Sequence, residues 1–381
     1  MKKIAIVTAT RAEYGILKPL ILRLEEEKEF DIQLYVTGTH LSMRYGYTKT
    51  EIISDGIRIY KEISILEEGN TAYDISVTMA NALKGFAEAF ATDRPDLLIV
   101  LGDRTEILGI CCAAMNENIP IAHLHGGELT EGAVDDCVRH AITKMSYLHF
   151  PVANVYRERI IQMGEDPKRV INAGALGVEN ILKVPLLGKK ELYKQLAIPE
   201  DRDLVVVTFH PVTLEKENVR QQVEELILAM QEEKDFFYVI TKSNADTGAG
   251  IVNEMLEEFA DTSEYVSITT SLGMLRYLSA VKCSIFVLGN SSSGIIEAPA
   301  LGTPTVNIGN RQKGRMMADT IIQCENTKDA IVDAMKRAAL MEHKRSTLFG
   351  NGQTSEIITQ TLKDVLLNGN IDLRKEFYSL S

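Results

Sequence analysis

Hydrophobic positions along this chain come in two registers. Short runs rich in Val, Ile and Leu occupy residues 3–7, 32–36, 97–101, 120–124 and 170–173, and later 204–208, 237–241, 266–269, 284–288 and 305–308. They do not alternate apolar with polar, which is what parallel strands covered on both faces require. Between them lie stretches with helical spacing of apolar residues, among them 15–28, 71–91, 215–232 and 272–280. Such alternation predicts two doubly wound α/β domains. The weakest join is 183–189, where Pro185 and Gly188 interrupt both periodicities, and the domain boundary is expected there. The tail reads as a helix over 351–367, broken by Asn368-Gly-Asn ahead of 373–378.

Composition narrows the possibilities. A length of 381 residues suits two domains, each large enough to build its own core. With 45% hydrophobic and 25% charged residues, the chain is an ordinary globular one rather than a disordered or fibrous one. The net charge of −12, with Lys and Arg scattered among acids, argues against a nucleic-acid partner. No run approaches the roughly 18 apolar residues of a membrane span. The opening MKKIAIVTAT has too short an apolar run for a leader and stops at Thr8, Thr10 and Arg11. Five cysteines, an odd number without C-x-x-C spacing, point to no disulfide framework and no zinc site. They are expected to act as small hydrophobes in a reducing cytoplasm.

Doubly wound sheets bind ligands beyond the carboxyl ends of their strands, and the informative polar residues fall there. Thr8-Ala-Thr-Arg-Ala-Glu-Tyr-Gly15 follows the first strand; Arg11 and the helix start could receive an anion, and the absence of G-x-G-x-x-G argues against a nicotinamide dinucleotide. Gly102-Asp103-Arg104-Thr105-Glu106 follows the strand at 97–101, with Asp103 and Glu106 at capping-box spacing, so Asp103 reads equally as helix cap and as catalyst. The densest constellation is His123-Leu-His125-Gly-Gly-Glu128 with Asp135-Asp136-Cys-Val-Arg139-His140. Clustered carboxyls and imidazoles supply the separated pKa values that acid–base chemistry needs, and one of His123 and His125 is expected to point into the core. No His-x-x-x-His pair or Asp-x-Asp triplet fixes a metal, so none is expected.

In the second half, Pro211 ends a strand and would hold His210 at its mouth. Leu288-Gly-Asn-Ser-Ser-Ser293-Gly294-Ile-Ile-Glu297 reads as strand, small-residue turn and helix start, a phosphate cradle without a Walker lysine. A carboxylate at Glu297 would repel a phosphate but could accept hydrogen bonds from ribose hydroxyls. Arg311, Lys313 and Arg315 follow the strand at 305–308 and could neutralise a diphosphate.

Taken in order, RAEYG, GDRTE, HLHGGE with DDCVRHAITK, HPVT, SNADTG, and GNSSSGIIEAP with RQKGR cover nearly the whole chain. Together they resemble the hydrolysing UDP-N-acetylglucosamine 2-epimerases of bacterial sialic-acid synthesis. The resemblance implies an α/β fold of two Rossmann-like, doubly wound domains of the GT-B type with an interdomain active-site cleft. It also implies a C-terminal helix crossing back to the first domain, so that residues 1–183 join 366–381 and residues 184–365 bind UDP. Carried over residue by residue, the catalytic groups fall on Asp103, Glu128, Asp136 and His210, with Asp135 an alternative to its neighbour. Nucleotide and diphosphate contacts fall on Arg11, Ser292, Ser293, Gly294 and Glu297, and His40 matches an active-site loop; His125, Arg139 and Arg311 are expected beside them as substrate contacts. The non-hydrolysing relatives keep a glutamate where His125 stands and lack the Gly-Gly-Glu run, which favours the hydrolysing branch.

The implied activity is conversion of UDP-N-acetylglucosamine and water to N-acetylmannosamine and UDP, by elimination to a 2-acetamidoglucal and then hydration. That makes the chain a glycosyl-bond hydrolase working without a cofactor. A small-molecule nucleotide sugar is the expected partner, with no nucleic acid and no membrane, in a cytoplasmic homodimer or homotetramer. Alternatives are the same reaction on UDP-2,4-diacetamido-2,4,6-trideoxyglucose for legionaminic acid, a GT-B glycosyltransferase, and a non-catalytic nucleotide-sugar sensor.

Overall fold

The computed structural model describes every residue except 68, 70, 130–134, 212–218, 244–248, 370 and 381. Val212 and Thr213 of HPVT, residues 244–248 of SNADTG, and the first four residues of the helix expected over 215–232 therefore lie outside the described residues. The chain divides into two units, Met1–Asn180 with Phe349–Ser381, and Ile181–Leu348.

The first unit is built on β1 (Lys2–Thr8), β2 (Phe30–Thr37), β3 (Ile59–Ile63), β4 (Leu97–Leu101), β5 (Ile121–Leu124) and β6 (Leu148–Phe150), in the order β3-β2-β1-β4-β5-β6. All its pairings are parallel. Successive side chains of a strand point to opposite faces, so β1 feeds two cores: Ile4 and Ile6 pack with Leu17 and Leu97, while Ala5 and Val7 pack with Phe86 and Leu98. The covering helices are α1 (Arg11–Glu25), α2 (Lys49–Ser54), α3 (Ala72–Thr92), α4 (Thr105–Asn116), α5 (Asp135–Met145) and α6 (Asn154–Gln162), and α7 (Leu176–Lys183) runs through the junction.

The second unit repeats the plan. After α8 (Lys189–Leu196) come β7 (Asp203–Thr208), α9 (Val219–Glu232), β8 (Phe236–Thr241), α10 (Ala249–Asp261), β9 (Val266–Thr269), α11 (Gly273–Cys283), β10 (Phe286–Gly289), α12 (Ser293–Leu301), β11 (Thr305–Ile308), β12 (Ile321–Cys324) and α13 (Lys328–Ala339). Its sheet runs β12-β11-β10-β7-β8-β9, again parallel throughout. In both sheets, then, the first strand sits at the centre, the next two lie on one side and the last three on the other.

Three short outer strands, β3, β6 and β12, escape the sequence pattern. Residues 170–173, expected as a strand, contribute one bridge, Val170 to His149, because β6 already holds that edge. The helix of the returning segment is α14 (Thr354–Lys363), extended by a wider turn over Asp364–Asn368. It buries Ile358 and Leu362 in the core beneath α1 and ties to α7 where Ser355 N–H donates to buried Glu179 at 2.6 Å. Of the helix expected over 366–381 only the wider turn ending at Asn368 forms; residues 371–380 are neither helix nor strand, because their partners lie elsewhere, as where Tyr378 N–H donates to Gly164 O at 2.9 Å. The five cysteines are unpaired; Cys111 is buried as expected of a small hydrophobe, whereas Cys137 is exposed on α5. Among the described residues no helix is long and apolar enough to cross a membrane.

Candidate active site

Sheet order reverses at β1/β4 in the first unit and at β7/β10 in the second, and a ligand crevice opens at such a switch point. The sequence-predicted residues gather at both.

At the first, β4 is followed by Gly102, whose φ of +74° turns the chain out of the sheet. Asp103 comes next and is not a cap: α4 starts from Arg104, without a side-chain cap bond, and Arg104 Nε instead donates to Glu106 at 2.6 Å. The Asp103 carboxylate is taken by Arg139 Nη2. The same guanidinium, 5% exposed, donates through Nη1 to Asp136 Oδ1 at 2.6 Å and to the Glu128 carbonyl at 2.8 Å. One buried arginine thus joins three chain segments and holds Asp103 and Asp136 together through charge-assisted bonds. Asp136 is one turn before Arg139 on α5, whereas Asp135 lines a cavity of about 530 Å³ with Asp103, Glu106, Thr39, Leu66 and Ile75.

The HLHGGE segment separates its two histidines. His123 is the core residue: fully buried, it lies 2.7 Å from Gly102 O and 3.2 Å from Thr143 Oγ1, and burial pushes its pKa down to about 3. His125 takes a left-handed backbone (φ +63°), an uncommon conformation for a residue with a Cβ. Its Nδ1 sits 3.2 Å from Glu128 Oε1, and among the described residues its buried Nε2 has no hydrogen-bond partner. Gly127 (φ +81°) is required by close approach, since a Cβ there would stand 2.5 Å from Tyr156 O. Arg159, which the sequence did not single out, donates to the Gly127 carbonyl. His140 on α5 also keeps a buried Nδ1 without a partner among the described residues.

Beside β1, Arg11 is an exposed residue paired with Glu51 at 2.9 Å. His40 offers no ring nitrogen to a ligand: it is fully buried, with Nε2 3.0 Å from Thr8 Oγ1 and Nδ1 2.8 Å from Thr48 Oγ1. These contacts stitch the β2 exit to β1, and desolvation lowers the pKa of His40 to about 4. Glu13 was missed. Thr10 caps α1 by accepting from Glu13 N–H, and the Glu13 carboxylate takes Ala9 N–H at 3.0 Å and the Thr10 hydroxyl at 3.2 Å. Burial raises this carboxyl to about 7 against the opposing pull of Arg104. The T-x-x-E spacing of Thr10 and Glu13 was the available signal, and it lies here rather than at Asp103.

At the second switch point the groups are mostly uncharged. β10 ends in Gly289 at φ +135°, where any Cβ would collide with Thr208 O. Asn290 then pivots the site: its Oδ1 accepts His210 N–H at 2.7 Å, its Nδ2 donates to His210 O at 2.8 Å, and its carbonyl accepts from Arg311 (3.1 Å) and Gln312 (2.8 Å). His210 Nδ1 lies 2.9 Å from Ser243 Oγ. Ser292 precedes α12, Ser293 opens it, and Gly294 lets it press on β11, where a Cβ would stand 2.8 Å from Thr305 Cγ2. Arg311, expected to face a diphosphate, thus has one nitrogen spent on bracing the turn; Lys313 and Arg315 are exposed.

A cavity of about 380 Å³ opens over this turn, lined by His210, Ser292, Ser293 and Glu297, and also by Lys242, Leu272, Met274 and Tyr277. Tyr277 OH donates to Ser293 Oγ at 2.7 Å. Burial raises the Glu297 carboxyl, and the Ser293 hydroxyl opposes the shift. The sequence did not single out Tyr277, Lys242 or 272–274; the last follows β9 at the ligand edge of the sheet, a position the strand-end rule could have flagged. Among the described residues no group of three or more His, Cys, Asp or Glu side chains is placed to hold a metal ion.

Known proteins are similar to this chain in sequence and in fold. A hydrolysing GDP/UDP-N,N'-diacetylbacillosamine 2-epimerase from Campylobacter jejuni is 39% identical over 85% of this chain and 84% of its own length. The polysialic acid biosynthesis protein P7 of Escherichia coli is 37% identical over 100% of this chain and 98% of its own. A crystal structure of a UDP-GlcNAc 2-epimerase from Neisseria meningitidis bound to UDP-GlcNAc superimposes with a TM-score of 0.76 at 17% identity, covering 95% of this chain and 99% of that one, so it shows the fold. The model of the family described as UDP-N-acetylglucosamine 2-epimerase matches residues 22–363, and with it this chain belongs to that family.

Proposed function

We propose that this protein hydrolyses UDP-N-acetylglucosamine to UDP and N-acetylmannosamine, inverting C2. The observation that carries the reading is the Arg139 clamp, which sets Asp103 and Asp136 side by side next to Glu128 and His125. The C2 proton of the substrate is not acidic, since no carbonyl is adjacent to it. As the C1–O bond breaks, C1 becomes oxocarbenium-like and the C2–H acidifies, so a carboxylate can take the proton. The electron pair of that bond leaves with UDP, giving a 2-acetamidoglucal. Addition of water then places hydroxyl on C1, and a proton arrives at C2 from the opposite face. Asp103, Glu128 and Asp136 serve as acid and base on the sugar. Ser292, Ser293 and the first N–H groups of α12 meet the departing diphosphate, Glu297 holds the ribose hydroxyls, and His210 stands beside them. The enzyme works as a cytoplasmic homodimer or homotetramer, a state that light scattering measures.

In deuterated, oxygen-18-labelled water the released sugar gains deuterium at C2 and, read promptly, oxygen-18 at C1, while UDP stays unlabelled. Label in UDP, or a product without C2 deuterium, overturns the elimination. A second reading replaces the substrate with UDP-2,4-diacetamido-2,4,6-trideoxyglucose. The Campylobacter relative supports it, as do Leu66, Ile75 and Tyr45 lining the cavity beside Asp103, apolar neighbours suited to a 6-deoxy sugar. Comparing kcat/KM for UDP release from the two sugars decides between the readings.

A further inference from the structure

Helix α5 carries Asp136 and Arg139 near its start and ends at Met145. Its last carbonyls have no partner within the helix, and the aligned peptide dipoles leave that end negative. The ammonium of Lys375 meets them, donating to Lys144 O at 2.9 Å and to Ser146 O at 2.7 Å. Lys375 is held there by Glu165, 2.6 Å away. Glu165 is 1% exposed, also takes Lys144 Nζ at 2.6 Å, and lies 3.1 Å from His149 Nε2. The neighbouring residues dock on the same corner: Tyr378 N–H donates to Gly164 O at 2.9 Å, and the Phe377 ring lies 5.2 Å below the Lys144 ammonium. A Cβ at Gly164 would overlap that ring.

Residues 371–380 therefore act as a strap across the carboxyl end of α5. Arg139 can reach Asp103 after β4 and the Glu128 carbonyl together only while α5 keeps its height along its own axis. We propose that Lys375 is a positioning residue, capping α5 so that Arg139 holds Asp103 and Asp136 in register. The proposal rests on the reading of these carboxylates as proton-transfer groups.

Lys375→Met keeps the aliphatic stem and removes the charge and the donors. Its kcat for UDP release falls about tenfold, while KM and the dissociation constant of UDP stay within about twofold. Lys375→Arg restores most of the turnover, because a guanidinium can donate to the same carbonyls. Tyr378→Pro removes the N–H that donates to Gly164 O, together with an exposed ring, and lowers kcat in the same way, by less. Amide hydrogen exchange reads the cap without turnover: Lys375→Met speeds exchange over 139–145 and leaves 203–208 unchanged. Normal kcat in Lys375→Met, equal losses of kcat and UDP affinity, or unaltered exchange in α5 overturns the proposal. A parent protein that releases no UDP from either sugar overturns the functional reading instead, and the exchange result still judges the cap.

Discussion

The two units share a strand order yet equip the same topological position with opposite chemistry. Beyond β1 and β4 the groups are charged, and Arg139 holds the carboxylates of Asp103 and Asp136 together. Beyond β7 and β10 they are hydroxyls and amides pivoting on Asn290, and the carboxyl present there, Glu297, is raised by burial. A proton-transfer site needs ionisable groups at fixed separation, and a counter-ion such as Arg139 lets two carboxylates stay close while both are charged. A site for an anionic leaving group needs donors and a helix N-terminus, where fixed negative charge would compete. One backbone plan serves both because the switch point supplies the location and the loops supply the chemistry.

The comparison can be broken most severely at Arg139. Arg139→Met leaves the two carboxylates facing each other without their counter-ion; kcat is expected to fall by about 1000-fold, with UDP binding within about threefold of the parent. Asp103→Asn and Asp136→Asn each cost about 100-fold or more in kcat. Normal turnover in Asp103→Asn would return that residue to a structural role. At the other switch point the signature is reversed. Glu297→Gln is expected to raise KM about tenfold and change kcat little, since a ribose contact acts on ground and transition states alike. A kcat effect as large as at Arg139 would mean that the second site also takes part in the chemistry.

A smaller effect separates the buried groups of the first unit by sign. His40 and His123, at about 4 and about 3 in the folded chain, bind protons more readily when unfolded. Their stabilisation is full above the ordinary histidine pKa and is lost as pH falls, by up to about 1.4 kcal/mol per pH unit per group. Glu13, raised to about 7, works the other way: its ionised form is a penalty on the folded state above that value, and stability is gained as pH falls from 7 toward the ordinary carboxyl value. Glu13→Gln is therefore expected to raise Tm at pH 8 and to steepen its fall between pH 6.5 and 5, whereas His40→Asn flattens it. Parallel Tm–pH curves for the parent and Glu13→Gln would show that Glu13 is not held protonated by its burial.

Much of this was legible along the chain. Parallel strands buried on both faces must be continuously apolar, so the central strands of both sheets stood out, and the polar residues after them marked both half-sites. The motif run also carried the family. Edge strands β3, β6 and β12 did not stand out, because a strand paired on one side needs neither length nor uninterrupted apolarity. Side-chain partners were beyond reach as well. Asp103 with Glu106 looks like a cap at three-residue spacing, and only the arrival of Arg139 from 36 positions away decides otherwise. The alternation of His123 and His125 says that they face opposite ways, but which faces inward depends on Gly102 and Thr143. Nothing in residues 371–380 forbids a helix; Gly164, Glu165 and the end of α5 draw them out as a strap. Local pattern determines what short-range sterics and burial dictate. Which charge meets which, and which buried group pays for its desolvation, is settled only when segments far apart in sequence are brought within hydrogen-bond distance.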